Sequence, residues 1–504
     1  MFVHGKLLFV SIAAAMPLFF ILCSFAGRAG AQEREPSSQP SVVISVDGDH
    51  PDQTWEGFGS TDLFGLDGLE VEIEAGKPGP IPEEGRKAVL RLYYEEMGMT
   101  RLRFFPVGYE PVNDNDDPAV TNGDAFKWDF RGDRRKNGLD MYYRDHVKMG
   151  AAFRNPKELF TLFPANHYWE EWMGRRPFNP AMVDEYAEHA YAAVQHWKKD
   201  YAFEMPYWSL FNEPWNSAKL TPETTLALVL AVGRRFKAAG FGTKLTVNDD
   251  VTVEASRKHI ETVLNHEEAR DYVGSVSYHR YCGIHENVPG MIEAANHGKR
   301  ILTGPVPFFD LARKHGKSVW LTECTSYDSK SQGMTHDDVG RARANHIAEE
   351  INIARVNAFD FMLCYFIERK AHDEEAFIYL RFEKGQYQKA EIEAKGDWYA
   401  AFTRYIRPGA VRLPSTSTER RVLPTAFWHK ANETVTVVLI NNVASDVSAQ
   451  IELKGTAVEK CQTRVRTAPP NERKKTLDPV AVEAGRLTDV LPGRSITTYI
   501  LTKK

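Results

Sequence analysis

The chain has 504 residues, of which 43% are hydrophobic, 26% are charged and 12% are aromatic. This composition is that of an ordinary globular enzyme and excludes a disordered chain, a collagen-like repeat and a coiled coil. The 63 basic and 68 acidic residues give a formal net charge of −5. No overall basic field therefore attracts phosphate backbones, and we expect no nucleic-acid partner.

Residues 1–31 have the pattern of a secretory signal peptide. His4 and Lys6 precede an apolar run over residues 7–25, and Ala29-Gly30-Ala31 offers a cleavage site of small residues. An uncleaved membrane anchor is the alternative, although Pro17 interrupts the run. No later segment is long and apolar enough to span a bilayer, so we predict a secreted protein, periplasmic or extracellular.

Four cysteines follow the predicted signal peptide: Cys282, Cys324, Cys364 and Cys461. Their scattered positions give no disulfide framework, and we expect small buried hydrophobic side chains. One disulfide bridge among Cys282, Cys324 and Cys364 stays open as an alternative.

The next two segments are short. Residues 32–41 are rich in Gln, Pro and Ser and are predicted to form a linker. Residues 42–46 alternate loosely in polarity and stop at Asp47-Gly48-Asp49, as a short strand before a turn does. Residues 42–54 are therefore predicted to be a strand segment that precedes the main domain.

Residues 55–404 are predicted to form a (β/α)8 barrel. Up to about residue 365, short β-branched or aromatic runs alternate with helical segments, which is typical of βα units around a parallel sheet. The clearest helical segments are residues 83–97, 181–199, 221–239 and 339–356. Eight strands close such a barrel. The eight predicted strands are residues 55–60, 99–105, 159–164, 207–211, 244–248, 274–278, 318–322 and 359–365.

Beyond Pro408 the pattern changes to alternating strands separated by turn residues and charges. These strands cover residues 434–441, 447–453 and 496–501. Period-two alternation predicts a sheet with one solvated face, so we predict a small antiparallel β domain over residues 405–504.

Two glutamates end predicted barrel strands. Glu213 follows strand four within Asn212-Glu213-Pro214, and Glu323 ends strand seven within Leu321-Thr322-Glu323. Barrel enzymes carry their active sites at this end of the sheet. Glycosidic bond cleavage needs one carboxylic acid and one carboxylate, and a separation of about 5 Å fits a retaining rather than an inverting enzyme. A single strand-end glutamate is often only solvated or salt-bridged, whereas this pair favours catalysis.

The sequence resembles glycoside hydrolase family 30, the glucosylceramidase, β-xylanase and β-1,6-glycanase group of retaining (β/α)8 enzymes. The motifs are Trp55-Glu56-Gly57-Phe58-Gly59, Asn212-Glu213-Pro214, His279-Arg280-Tyr281, Thr322-Glu323, Tyr405-Ile406-Arg407-Pro408-Gly409-Ala410 and Leu491-Pro492-Gly493-Arg494-Ser495-Ile496-Thr497-Thr498. The resemblance implies a double displacement with Glu213 as general acid/base and Glu323 as nucleophile. It also implies that residues 42–54 join the C-terminal strands in an antiparallel β-sandwich. The chain departs from many members after strand three and at Cys364-Tyr365-Phe366.

Other strand ends supply candidate residues for the sugar site. Asn212 is expected to hydrogen-bond the sugar 2-hydroxyl beside the acid. His279 and Tyr281 share one side of strand six, where they either face the pocket or pack in the barrel. Arg103 on strand two either orients a catalytic glutamate or pairs with a structural acid.

Aromatic and polar side chains after strands three, four and eight are candidate subsite residues, because sugars stack on aromatic rings. Wall packing is the alternative for each of them. They are Asn166, His167, Trp169, Trp215 and Tyr365. After strand five, Asn248-Asp249-Asp250 either meets sugar hydroxyls or caps a helix.

Two other functions are possible for this pattern. A non-catalytic carbohydrate-binding protein on the same scaffold would have lost a carboxylate, and both are present. A metal-dependent hydrolase built on His279, Cys282 and His285 lacks a fourth ligand at recognisable spacing. We therefore predict no metal, no cofactor, and an oligosaccharide, polysaccharide or glycoside as substrate. The sugar and its linkage depend on loop shape.

Overall fold

The computed structural model describes residues 42–62, 65–66, 81–105, 126–128, 138–165, 177–281, 287–325, 333–367 and 376–503. The predicted signal peptide and linker lie outside these ranges, as do Asn166, His167, Trp169 and Cys282. Within the described ranges, no helix combines the length and the apolar character needed to cross a bilayer.

Eight parallel strands form one sheet, which confirms the predicted (β/α)8 barrel. Barrel strands one to eight, in chain order, are Gly57–Asp62, Arg101–Phe104, Thr161–Pro164, Tyr207–Ser209, Lys244–Asp250, Val273–His279, Ser318–Glu323 and Ala358–Met362. Strand one pairs with both two and eight, and a parallel bridge between Ala165 and Ser209 joins strand three to strand four. The carboxyl ends of all eight strands therefore point to one face.

The eighth strand is shorter than predicted. The run over residues 359–365 leaves the barrel at Met362, and Tyr365–Ile367 begins a separate sheet with Ile378–Glu383 and Gln386–Ile392. Apart from Asp360 the run is apolar, and no glycine or proline marks the break, so its pattern alone suggests one strand.

Helices alternate with the strands. They are Glu83–Arg91, Leu139–Tyr142, Val183–Tyr201, Pro214–Ser217, Pro222–Ala238, Val253–Asn265, Glu267–Tyr272, Val288–Asn296, Phe309–Lys314, His336–Glu349 and Ala394–Thr403. Threonines cap several of them, because the hydroxyl accepts a hydrogen bond from a backbone N–H that the helix leaves unpaired. Thr221, Thr252 and Thr335 all cap in this way.

The β-sandwich has two sheets. The larger contains Val411–Leu413, Val422–His429, Thr434–Asn441, Ser495–Thr502, Lys460–Ala468 and Glu472–Leu477 in spatial order. The smaller contains Ser415–Ser417, Val42–Asp47, Val447–Lys454 and Arg486–Leu491.

The N-terminal strand joins the smaller sheet, as predicted. Val42–Asp47 runs antiparallel to Ser415–Ser417 and parallel to Val447–Lys454, so the sheet is mixed rather than purely antiparallel. A hairpin forces its two strands to be antiparallel. No hairpin connects Val42–Asp47 to Val447–Lys454, so these two strands can pair in parallel.

The sandwich packs directly on the barrel. Trp55 and Phe427 belong to one buried cluster, and their ring centroids lie 5.8 Å apart. Asn345 of the barrel and Asn442 of the sandwich exchange two amide hydrogen bonds, of 2.8 and 3.0 Å. A buried apolar interface therefore joins the two modules, and the sandwich also has a core of its own.

The described cysteines are all buried free thiols: Cys324, Cys364 and Cys461. Cys324 and Cys364 therefore take no part in the alternative bridge, and Cys282 lies outside the described residues. The expectation of small buried hydrophobic side chains holds for the three described thiols.

Candidate active site

Glu213 lies in a tight turn between strand four and the short helix Pro214–Ser217. Its φ of 48° is in the left-handed region, which is costly for a side chain with a Cβ. Its backbone N–H donates to the carbonyl of Asp249 at 2.8 Å. This contact fixes the turn at the mouth of the barrel.

The Glu213 carboxylate contacts two neighbours. Oε1 lies 3.2 Å from Nδ1 of His279, and Oε2 accepts a hydrogen bond from the amide of Asn216 at 3.2 Å. Burial raises the pKa of Glu213, but His279, Asn216 and the charge of Arg103 together lower it by more. The net pKa lies below its ordinary value, so the proton needed for acid catalysis is most available at acidic pH.

Glu323 is the last residue of strand seven and is held from both sides. Nη1 of Arg103 donates to Oε2 at 2.7 Å, and the Tyr281 hydroxyl donates to Oε1 at 2.8 Å. Charge-assisted and neutral donors thus fix the orientation of both oxygens of Glu323.

The two carboxylates lie close together. One oxygen of Glu213, one oxygen of Glu323 and one ring nitrogen of His279 all lie within 4.8 Å of one another. The His279 ring is fully buried, and its Nε2, 3.9 Å from Oε2 of Glu323, has no hydrogen-bond partner among the described residues. Two carboxyl groups at this spacing can contact one bound substrate molecule.

Arg103 connects four strands beneath the glutamates. It is fully buried, and besides Glu323 it donates to Oδ1 of Asn212 and lies 3.4 Å from Oδ2 of Asp249. Asp249 also accepts hydrogen bonds of 2.6 Å from Ser209 and Thr322. Burial by itself would lower the pKa of Arg103, but the surrounding carboxylates, Asp249 first, raise it.

Sequence reasoning missed the role of Asp249. The acid pair after strand five was visible, but nothing local to it indicates a partner on strand two. In the structure Asp249 is completely buried and helps to neutralise Arg103.

Two predicted subsite residues lie in different places. Trp215 is 57% exposed beside Glu213, and Nζ of Lys219 lies 4.8 Å from its ring centroid. Tyr365 is buried, and its hydroxyl contacts Asp62 and His146 rather than either glutamate. The three remaining candidates, Asn166, His167 and Trp169, lie outside the described residues.

Glu213, His279 and Glu323 also have a spacing that a metal ion could use. Both oxygens of Glu323, however, already accept hydrogen bonds from Arg103 and Tyr281. A guanidinium 2.7 Å from one donor atom repels a second cation. The donor chemistry therefore fits catalytic carboxylates better than a metal centre.

No protein-family model and no curated protein matches the sequence. Solved structures match it along nearly its whole length. The catalytic domain of glycoside hydrolase family 30 xylanase C from Talaromyces cellulolyticus has a TM-score of 0.70 at 17% identity, covering 92% of this chain and 100% of that one. The family 30 endoxylanase from Clostridium papyrosolvens C71 has a TM-score of 0.63 at 16% identity, covering 91% and 100%.

An endo-β1,6-glucanase also matches, with a TM-score of 0.60 at 16% identity over 92% of this chain and 94% of that one. The chain has a glycoside hydrolase family 30-like fold. These identities carry the likeness of fold, while the chemistry depends on the residues at the strand ends.

Proposed function

We propose that the protein is a secreted retaining β-glycosidase that cleaves O-glycosidic bonds by double displacement. The observation that carries this proposal is the close approach of the Glu213 and Glu323 carboxylates, with oxygens within 4.8 Å at the carboxyl ends of strands four and seven. The family 30-like fold and the signal-like residues 1–31 support it.

In the first step Glu213 gives its proton to the glycosidic oxygen while Glu323 attacks the anomeric carbon. The bond to the leaving group breaks, and a glycosyl ester forms on Glu323. In the second step the ionised Glu213 takes a proton from water, and the resulting hydroxide displaces Glu323. Each step inverts the anomeric carbon, so the product retains its configuration.

The surrounding residues have separate duties in this mechanism. Arg103 and Tyr281 orient the carboxylate of Glu323. Asn212, fixed by Arg103, is placed to contact the sugar 2-hydroxyl. His279 lies between the two glutamates, where it meets the sugar or the carboxylates. Trp215 is a platform for the sugar on the leaving-group side.

The structural neighbours are named as xylanases and an endo-β1,6-glucanase. We therefore propose a β-linked oligosaccharide, polysaccharide or glycoside as substrate, including xylan and β-1,6-glucan. The mechanism needs no cofactor and no metal, so we expect chelators to leave the rate unchanged.

The test is a screen of the mature protein against aryl β-glycosides, xylan, β-1,6-glucan, β-1,6-galactan and glucosylceramide. We expect turnover of at least one of them, and its loss in E323Q. The matched control E95Q changes an exposed glutamate and should keep the wild-type rate. Binding of a sugar without turnover would indicate a non-catalytic carbohydrate-binding protein, and activity that survives E323Q would exclude Glu323 as nucleophile.

A further inference from the structure

Asp250 ends barrel strand five and is fully buried. Its Oδ1 accepts a hydrogen bond from the backbone N–H of Val251 at 2.9 Å, and its Oδ2 accepts one from the N–H of Trp215 at 3.0 Å. The side-chain amide of Asn248 lies 3.5 Å from the same Oδ2. All three neighbours are donors, so this arrangement fits an ionised carboxylate.

The end of strand five thus holds the Glu213 turn at two points. The carbonyl of Asp249 accepts the N–H of Glu213, and the carboxylate of Asp250 accepts the N–H of Trp215. Glu213 and Asp249 have left-handed φ angles of 48° and 44°. Residues other than glycine keep such angles only where their surroundings enforce them. Loss of the second contact would therefore loosen the turn that carries the proposed acid.

Asp250 also brings a negative charge close to Glu213. The ionisable groups that act on Asp250 are Glu213 from the turn and His279 from strand six. Arg103 acts on Asp249 and on Glu213. Burial first and the charge of Glu213 second raise the pKa of Asp250 to about 6, against the opposing effect of its N–H donors and of His279. Repulsion between two carboxylates is mutual, so an ionised Asp250 favours the protonated form of Glu213.

We propose, on the basis of the function proposed above, that Asp250 is a positioning residue for the general acid. It fixes the turn that bears Glu213 and Trp215, and its buried charge retains on Glu213 the proton that is delivered to the leaving group.

The experiment compares wild type and D250N in the pH dependence of kcat/KM, with two glycosides of the preferred sugar. One has an alkyl leaving group that needs protonation, and the other has 2,4-dinitrophenolate, which does not. With the alkyl glycoside, the basic limb of the D250N profile should move to lower pH by about one unit. At neutral pH its rate should fall about tenfold, while the dinitrophenyl substrate changes little.

The matched control is D271N. Asp271 is exposed, and its carbonyl accepts a hydrogen bond of 3.4 Å from Lys244 at the amino end of the same strand. The variant removes an equal charge from the opposite face of the barrel, so its pH profile should match wild type. If D250N only destabilised the protein, the hydrolysis rates of both substrates would fall and the basic limb of the pH profile would stay in place.

An unmoved basic limb in D250N would overturn the proposal. If D250N does not fold, D250E is the deciding variant. It keeps the negative charge but moves the carboxylate, so the basic limb of the pH profile should stay in place while hydrolysis of the alkyl glycoside becomes slower. A shifted limb or a wild-type rate in D250E would contradict this. If wild type hydrolyses no glycoside, both this inference and the proposed function fail. If E213Q abolishes the alkyl activity and D250N leaves the limb in place, only this inference fails.

Discussion

At the scale of single residues, Glu213 and Glu323 differ most in their hydrogen bonds and in their exposure. Glu323 is 7% exposed and accepts hydrogen bonds at both oxygens from Arg103 and Tyr281, whereas Glu213 is 15% exposed beside Trp215. A carboxyl group held at both oxygens suits attack on carbon, and a more exposed carboxyl group suits proton exchange with a leaving group or water. This contrast supports the division of roles.

Azide separates these two roles. E323A should lose at least about 10⁴-fold in turnover of every substrate, because it lacks the nucleophile. Azide should occupy the vacated space and yield an α-glycosyl azide from a β-glycoside. The product's anomeric configuration is read by NMR.

E213A is the companion variant. It should slow substrates with poor leaving groups by about 10²- to 10⁴-fold and spare activated ones. Azide should then attack the glycosyl ester from the other side and give the β-azide. If the two variants exchanged their azide products, the assigned roles would be reversed.

The sequence indicated where the two glutamates lie, because Glu213 follows strand four and Glu323 ends strand seven. Their catalytic roles stay predictions. The Arg103–Asp249 contact could not be predicted from the sequence, because these residues are 146 positions apart and meet only in the closed barrel. Tyr365 was predicted to be a subsite residue, but the structure buries it against Asp62 and His146, and no local sequence pattern indicates that packing.

At the scale of elements, the helix His336–Glu349 ends in an unusual buried acid. Glu349 accepts backbone hydrogen bonds from Ile301 and Leu302 at 2.7 and 2.8 Å through one oxygen. Burial raises the pKa of Glu349 to about 7. Because the folded-state pKa exceeds the unfolded value, its stabilising contribution is complete below about pH 4.5 and is lost as pH rises through 7.

E349Q should therefore remove part of the pH dependence of stability. Glutamine keeps an oxygen for the two N–H groups and never ionises, so the free energy of unfolding at pH 8 should rise relative to wild type by up to about 3 kcal/mol. Near pH 4.5 the two proteins should agree. Denaturant unfolding at both pH values measures this, with E95Q as the exposed control. Equal differences at both pH values would contradict the assignment.

Strand eight shows where prediction of elements fails. The run over residues 359–365 contains the end of a barrel strand and the start of a strand in another sheet. No glycine or proline marks the break after Met362. The remaining barrel strands overlap their predicted ranges because turn residues or helical segments bound them.

For the whole molecule, the N-terminal strand and the C-terminal strands enclose the barrel segment between them. Val42, Ile44 and Val46 are buried against the inner residues of Val447–Lys454, and Phe427 packs on Trp55. We propose that the barrel and the sandwich unfold as one cooperative unit rather than as enzyme and detachable module.

Removal of the sandwich tests this. A fragment of residues 32–408 would expose the apolar barrel surface around Trp55 and leave Val42–Asp47 without a partner, so it should aggregate. Solubility, thermal unfolding and activity are compared with residues 32–504. A soluble, fully active fragment with an unchanged melting temperature would show that the sandwich is an appendage.

The central claim is that Glu213 and Glu323 face one sugar closely enough for two successive displacements. Proton NMR of the first-formed product from a β-glycoside tests this most directly, before mutarotation mixes the anomers. The account predicts the β-anomer first, with the α-anomer appearing later. An α-anomer as the first product would contradict it.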